Sequence, residues 1–155
     1  MRQMQLVEAT NWHRQLFVRS PTSLADAMGV TLSSGWPVYQ DIFLAQCNPE
    51  WPFYLFVDED QSVIIGSGGF TCSPDARGEV QIGYEIAPAF RGQGIATHMM
   101  HMVLVRHPQA RPIAFTSENS GPSAAVLRKL GFSSTSCHRL EGGVTVWRWS
   151  RTPGD

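Results

Sequence analysis

The sequence has one lysine, Lys129, no block of like charge and no long hydrophobic run. The other members of its 12 basic residues are arginines, and against 13 acidic residues they leave a formal charge of −1. A module that binds nucleic acid by neutralising phosphates needs a basic surface, so that class is excluded. The planar arginine forks still suit phosphate or carboxylate, and small anionic ligands remain open. Cysteine is scarce: Cys47, Cys72 and Cys137 are odd in number, far apart and in no C-x-x-C spacing. Neither a disulfide framework nor a zinc ribbon is expected. No stretch approaches the ~18 apolar residues of a membrane span. The opening Met-Arg-Gln-Met-Gln-Leu-Val-Glu breaks any apolar run too early for a signal peptide. A reducing, cytoplasmic setting without membrane attachment is the expectation. Internal repeats and low-complexity segments are also missing.

What is present is 155 residues of which 43% are hydrophobic, enough for one domain over 1–155 with a sizeable core. Residues 3–8 read as a strand. Residues 11–19 read as a helix, with Trp12, Leu16 and Phe17 at helical spacing behind Thr10 or Asn11. Residues 20–52 mix prolines and aromatics with short helical pieces at 24–28 and 38–46, a shaped loop region that could cover a cleft. Trp36 and Trp51 there serve either as core plugs or as walls of an acceptor pocket, and Trp36 is the substrate-binding candidate. Residues 53–57 and 63–70 form a hairpin around Asp58-Glu59-Asp60. Residues 79–86 alternate cleanly, with Val80, Ile82, Tyr84 and Ile86 on one face. A helix follows from 94 to 106, stopped by Pro108. A short strand at 113–116 comes next, then a helix opening at Ser120-Gly121-Pro122-Ser123 and ended by Gly131. A hairpin of 133–140 and 144–150 closes the chain. This order gives an α/β or α+β fold with helices packed on a mixed sheet.

The chemistry concentrates where the clean strand meets a Gly-rich turn, at Arg91-Gly92-Gln93-Gly94-Ile95-Ala96. Glycines let backbone N–H groups point into one concavity, and the helix that follows adds its positive end; such a turn holds a pyrophosphate. A P-loop is excluded because no Gly-Lys-Ser/Thr follows. A dinucleotide fingerprint fails as well: its third glycine or alanine would fall on Thr97, and no acidic residue stands ~20 residues on.

The turn resembles motif A of the GCN5-related N-acetyltransferases (GNAT), Arg/Gln-x-x-Gly-x-Gly/Ala, at Arg91, Gly94 and Ala96. The stretch from Asn119 through Lys-Leu-Gly-Phe132 is similar to the family's next helix, so the likeness covers most of the chain. Within the family, the ribosomal-protein N-acetyltransferase branch is most similar, a branch that also holds small-molecule enzymes. The resemblance implies a mostly antiparallel sheet of about six or seven strands flanked by about four helices. It implies an acetyl-CoA co-substrate and a primary amine acceptor, either a small molecule or a protein N-terminus. Two parallel strands, 79–86 and 113–116, would splay to admit the pantetheine arm.

By the same resemblance, backbone groups at 85–87 bind the arm and the Ile86 amide is the oxyanion donor. Residues Gln93, Gly94, Ile95, Ala96 and Thr97 hold the diphosphate, with Gly92 in the turn and Arg91 adding charge or structure. Asn119 is assigned to a CoA contact, although the branch's asparagine register falls here on Ser120. Amines are protonated at neutral pH, so a base or water relay is required; Glu85 is the first choice and Glu79 the second. The family's late-helix tyrosine, which protonates the leaving thiolate, corresponds here to Leu127. Ser123 stands in as donor, though an ordinary helix-start serine is the plainer role for it. Among the weaker features, His98 and His101 share a helical face but lack a third ligand, so no metal is expected. Cys72 and Cys137 read as packing residues. Edge strands and the aromatic hairpin could support a homodimer. The competing functions are a non-catalytic acyl-CoA sensor and, further off, a dinucleotide-binding subunit.

Overall fold

The computed structural model describes residues 3–45 and 48–151; Gln46 and Cys47, which the sequence placed at a helix end and among the thiols, lie outside them. In chain order the elements are β1 (Met4–Glu8), α1 (Asn11–Arg19), α2 (Pro21–Met28), β2 (Thr31–Leu32), α3 (Gln40–Leu44), β3 (Phe53–Asp58) and β4 (Val63–Phe70). Then follow β5 (Glu79–Ile86), α4 (Ile95–Arg106), β6 (Arg111–Thr116), α5 (Pro122–Lys129), β7 (Ser133–Arg139) and β8 (Thr145–Ser150). A 3-10 turn at Pro88–Phe90 joins β5 to the Gly-rich turn. The sheet runs β1-β3-β4-β5-β6-β8-β7, with β2 added beside β4. Antiparallel pairings dominate; β5–β6 and β2–β4 are parallel. The sheet has one strand more than the expected six or seven because β2, two residues long, leaves no alternation in the sequence, whereas α3 falls within the helical piece expected at 38–46.

Alternation along β3 shows how the layers form. Phe53, Leu55 and Val57 face a cluster with Phe17, Leu24, Trp36 and Phe43 from the α1–α3 side. Tyr54 and Phe56 face the opposite cluster, which holds Met99, Met100 and Val103 of α4, Leu127 of α5, and Trp149. A strand buried on both faces has no polar positions to spare, which is why this stretch is continuously apolar. Close approach of α4 to the sheet depends on Gly68, where a Cβ would stand 2.8 Å from Phe56 Cζ and 2.9 Å from Met100 Sδ.

The break in the sheet is the functional feature. β5 and β6 pair only at Glu79↔Arg111, Val80↔Pro112 and Gln81↔Ile113. Beyond Gln81 the strands diverge, while β5 stays paired to β4 through Gly66↔Ile86. Thr71 N–H donates to Gln81 O at 3.0 Å and Ala87 N–H to Ile65 O at 2.8 Å, so the odd residues of β5 turn their backbone groups toward β4. Alternation then turns the Tyr84 and Ile86 backbone groups toward the opening.

Candidate active site

The Gly-rich turn takes its shape from backbone sign. Gly92 has φ 75° and Gly94, the N-cap of α4, has φ 76°. No atom lies within 4 Å of the point where a Cβ would stand on either residue. The left-handed conformation therefore demands glycine, and crowding by the protein does not. Arg91 Nε donates to the Ile86 carbonyl at 2.9 Å and so pins the turn to the strand end. No side chain caps α4, and its first N–H groups are left to face the space beside the turn. That space is a cavity of about 520 Å³ lined by Arg91, Gly92, Gly94, Ile95, Ala96 and Thr97, by Glu85 and Ile86, and by Val126 and Lys129 of α5.

A second cavity, of about 390 Å³, occupies the splay. Its walls are Gln81–Tyr84 on β5, Ala114–Thr116 on β6, and Tyr39, Ile42 and Glu118. Tyr39, Tyr84, Pro122 and Ser123 line both cavities and form the passage between them. Ser123 is exposed in the first turn of α5. The Tyr84 phenol donates to the Ser123 carbonyl at 2.9 Å, across the passage. Burial pushes that phenol well above its ordinary range, so it stays protonated throughout the working pH range. Leu127, where the resemblance looked for an acid, is fully buried and apolar.

Glu85 projects toward the α1–α3 side and is held at both oxygens. Oε1 accepts from Val38 N–H at 2.7 Å and Oε2 from Tyr39 N–H at 2.9 Å. Each oxygen keeps a second lone pair for a water or an ammonium. The contact also fixes the segment before α3 and sets Tyr39 as a wall of both cavities. Glu79 plays a different part, pairing with Arg148 Nη2 at 2.5 Å on the half of β5 that β6 still covers.

Three sequence expectations land elsewhere. Trp36 is 5% exposed and stacks edge-on with Phe17 and Phe43, its indole N–H donating 2.9 Å to Ser67 Oγ. It supports the loop from beneath, and Tyr39 takes the wall position instead. Asn119 accepts from Arg128 Nη2 at its backbone oxygen (2.7 Å) and at Oδ1 (3.3 Å), and lines neither cavity. Gln93 points into solvent at the tip of the turn and also lines neither. Glu85, Ser123, Ile86, Arg91, Gly92, Gly94, Ile95, Ala96 and Thr97 do come together at the cavities. Tyr84 and Tyr39 were missed. Tyr84 stood on the apolar face of an alternating strand and read as core, while Tyr39 was hidden among loop aromatics. Among the described residues no group of His, Cys, Asp or Glu could hold a metal ion, and no helix is long and apolar enough to cross a membrane.

Known proteins share this fold. No curated protein sequence matches the chain. Among solved structures, RimL, a ribosomal L7/L12 alpha-N-protein acetyltransferase in complex with coenzyme A, superposes with a TM-score of 0.66 at 21% identity, covering 96% of this chain and 93% of that one. A spermidine N-acetyltransferase SpeG chimera from Vibrio cholerae and hSSAT gives 0.66 at 12% identity over 97% and 96%. The microcin C7 self immunity acetyltransferase MccE, in complex with acetyl-CoA and AMP, gives 0.65 at 13% over 96% and 92%. At such identities these likenesses speak for the fold. Residues 2–133 match the model of the acetyltransferase (GNAT) domain, and the chain therefore belongs to the GNAT acetyltransferase family.

Proposed function

We propose that the protein transfers the acetyl group of acetyl-CoA to a primary amine by direct attack within a ternary complex. The observation that carries this reading is the splay: β5 turns the N–H groups of Tyr84 and Ile86 away from β4, between a diphosphate-type turn and a second cavity. An acyl-CoA needs those parts in that order. Its diphosphate requires amides and positive charge, met by the α4 N-terminus with Arg91 and Lys129 close by. Its peptide-like pantetheine requires a free strand edge, and its thioester requires an oxyanion donor, for which the Ile86 N–H faces the opening.

The acceptor enters from the second cavity. An amine with a pKa near ~10.4 is under ~0.1% neutral at pH 7, so a proton must be removed before attack. Glu85 lines the first cavity next to the passage, with a lone pair free on each oxygen, and takes that proton directly or through one water. Ser123 lines the passage on the other side, where the thiol departs. The only ionisable side chain among the second cavity's linings besides the tyrosines is the Glu118 carboxylate, which suits a cationic acceptor. Small amines and protein N-termini both satisfy that charge rule. The cytoplasm, where acetyl-CoA is available, is the compartment that fits this chemistry.

Isothermal titration with acetyl-CoA, followed in the same preparation by thiol release across a panel of amines and N-terminal peptides, tests the reading. Saturable binding with turnover on at least one amine is expected. Absence of binding would refute it, and binding without turnover on any amine would favour a sensor.

A further inference from the structure

The departing sulfur leaves as a thiolate into a place where the family's usual position offers only Leu127, fully buried and apolar. Of the residues that line both cavities, two carry a hydroxyl beside the α5 N-terminus, Tyr84 and Ser123. The Tyr84 hydroxyl reaches across the passage to donate to the Ser123 carbonyl at 2.9 Å. Its ring packs against the core cluster under α4 and α5, with Ile82 and Ile86 as its neighbours on that face. A rigid two-torsion side chain anchored in this way holds its oxygen in place better than a serine on an exposed helix start. We propose that Tyr84 is a catalytic residue of the acetyl transfer, its phenolic O–H serving the CoA sulfur as it leaves.

The inference rests on the acetyl-transfer reading. In the step, the amine nitrogen forms the C–N bond and the carbonyl pair moves onto oxygen at the Ile86 N–H. On collapse the C–S bond breaks and sulfur keeps the pair. Tyr84 exchanges the Ser123 carbonyl for the sulfur and gives it a proton. Of the two protons that the ammonium loses in becoming an amide, one refills the Tyr84 phenolate and the other leaves through Glu85. Desolvation raises the basicity of the thiolate as it does that of the phenol, so it is the hydrogen bond to the developing charge on sulfur, and not a match of acidities, that favours C–S cleavage, the proton following along it.

The test is Tyr84→Phe, which keeps the ring and removes the O–H, with Ser123→Ala beside it. Two readouts are taken: turnover with acetyl-CoA, and the pH titration of the thiol of bound CoA, followed by thiolate absorbance in the ultraviolet. The second needs no acceptor and no reaction. A hydrogen bond to the sulfur should hold the bound thiol about one unit or more lower in the wild type than in Tyr84→Phe. Turnover should fall about tenfold or more, with CoA affinity within about threefold and with Ser123→Ala the milder change. Unchanged thiol titration, or a larger effect from Ser123→Ala, would overturn the assignment while leaving acetyl transfer intact. Failure of the wild type to bind CoA at all would overturn acetyl transfer itself, and this assignment with it.

Discussion

Replacing Glu85 by glutamine tests how the segment carrying Tyr39 is held. The carboxylate accepts from Val38 N–H at 2.7 Å and Tyr39 N–H at 2.9 Å. A glutamine can offer its one carbonyl oxygen to only one of these amides, and its NH2 then meets the other donor head-on. Hydrogen bonds to charged groups are worth about 1.5–3 kcal/mol when shielded, but these are exposed and each counts for less. Losing one bond and setting two donors against each other amounts to about 1–2 kcal/mol on the local opening of the segment, roughly a five- to thirtyfold change in its equilibrium. Amide hydrogen exchange followed residue by residue should show Val38 and Tyr39 accelerated by that factor. Exchange in α4 and β3 should be unchanged. Acceptor turnover should fall along with the loosened Tyr39 wall, while CoA affinity holds within about threefold. Unaltered exchange at both amides would show that the clamp does not exist in solution. Unaltered turnover across the pH range would remove Glu85 from the reaction.

Other perturbations have equally definite outcomes. Gly94→Val forces a β-branched residue to φ 76°, which costs about 1–2 kcal/mol or flips the turn; calorimetry should show CoA affinity reduced about fivefold or more, and equal affinity would relocate the diphosphate. Glu79→Gln removes an ion pair with Arg148; the pH–rate profile should keep its shape while chemical denaturation shows a loss within about 1 kcal/mol, and a changed profile would make Glu79 a base. His107 is held below its ordinary pKa by burial first and by Arg106 second, and its Nε2 lies 2.9 Å from the Tyr54 hydroxyl. The unfolded chain therefore binds the proton more readily, so stability is full above about pH 6.5 and is lost as pH falls toward the folded pKa. Melting temperatures measured across that window should decline less in His107→Gln than in the wild type; parallel curves would show that His107 does not contribute.

Much of the fold could be read along the chain because period survives wherever one face is buried. The alternation of residues 79–86 appears intact as β5, and the helical spacing of Ile95, Met99 and Val103 becomes the buried face of α4. Gly131 at φ 91° ends α5, as its position suggested. β2 escaped because two residues carry no alternation. Trp36 misled for a different reason: composition says that an aromatic stands in a loop but not which way it turns, and the indole turned inward to Ser67. Tyr84 was hidden by the regularity that made its strand easy to find. A phenol on an apolar face reads as core until its O–H is seen to reach the first turn of a helix that begins 36 residues after the strand ends at Ile86. Motif spacing located the Gly-rich turn before α4, whose contacts are local. The clamp between Glu85 and a segment more than 40 residues earlier had no local signature.

The most direct test of the account is backbone amide exchange along β5 with and without acetyl-CoA. Gly83 and Glu85 turn their N–H groups to β4, whereas those of Tyr84 and Ile86 face the splay. Acetyl-CoA should slow exchange at Tyr84 and Ile86 and at the first turn of α4, leaving Gly83 and Glu85 as they were. Uniform protection along the strand, or none at Tyr84 and Ile86, would contradict the placement of the co-substrate in the splay.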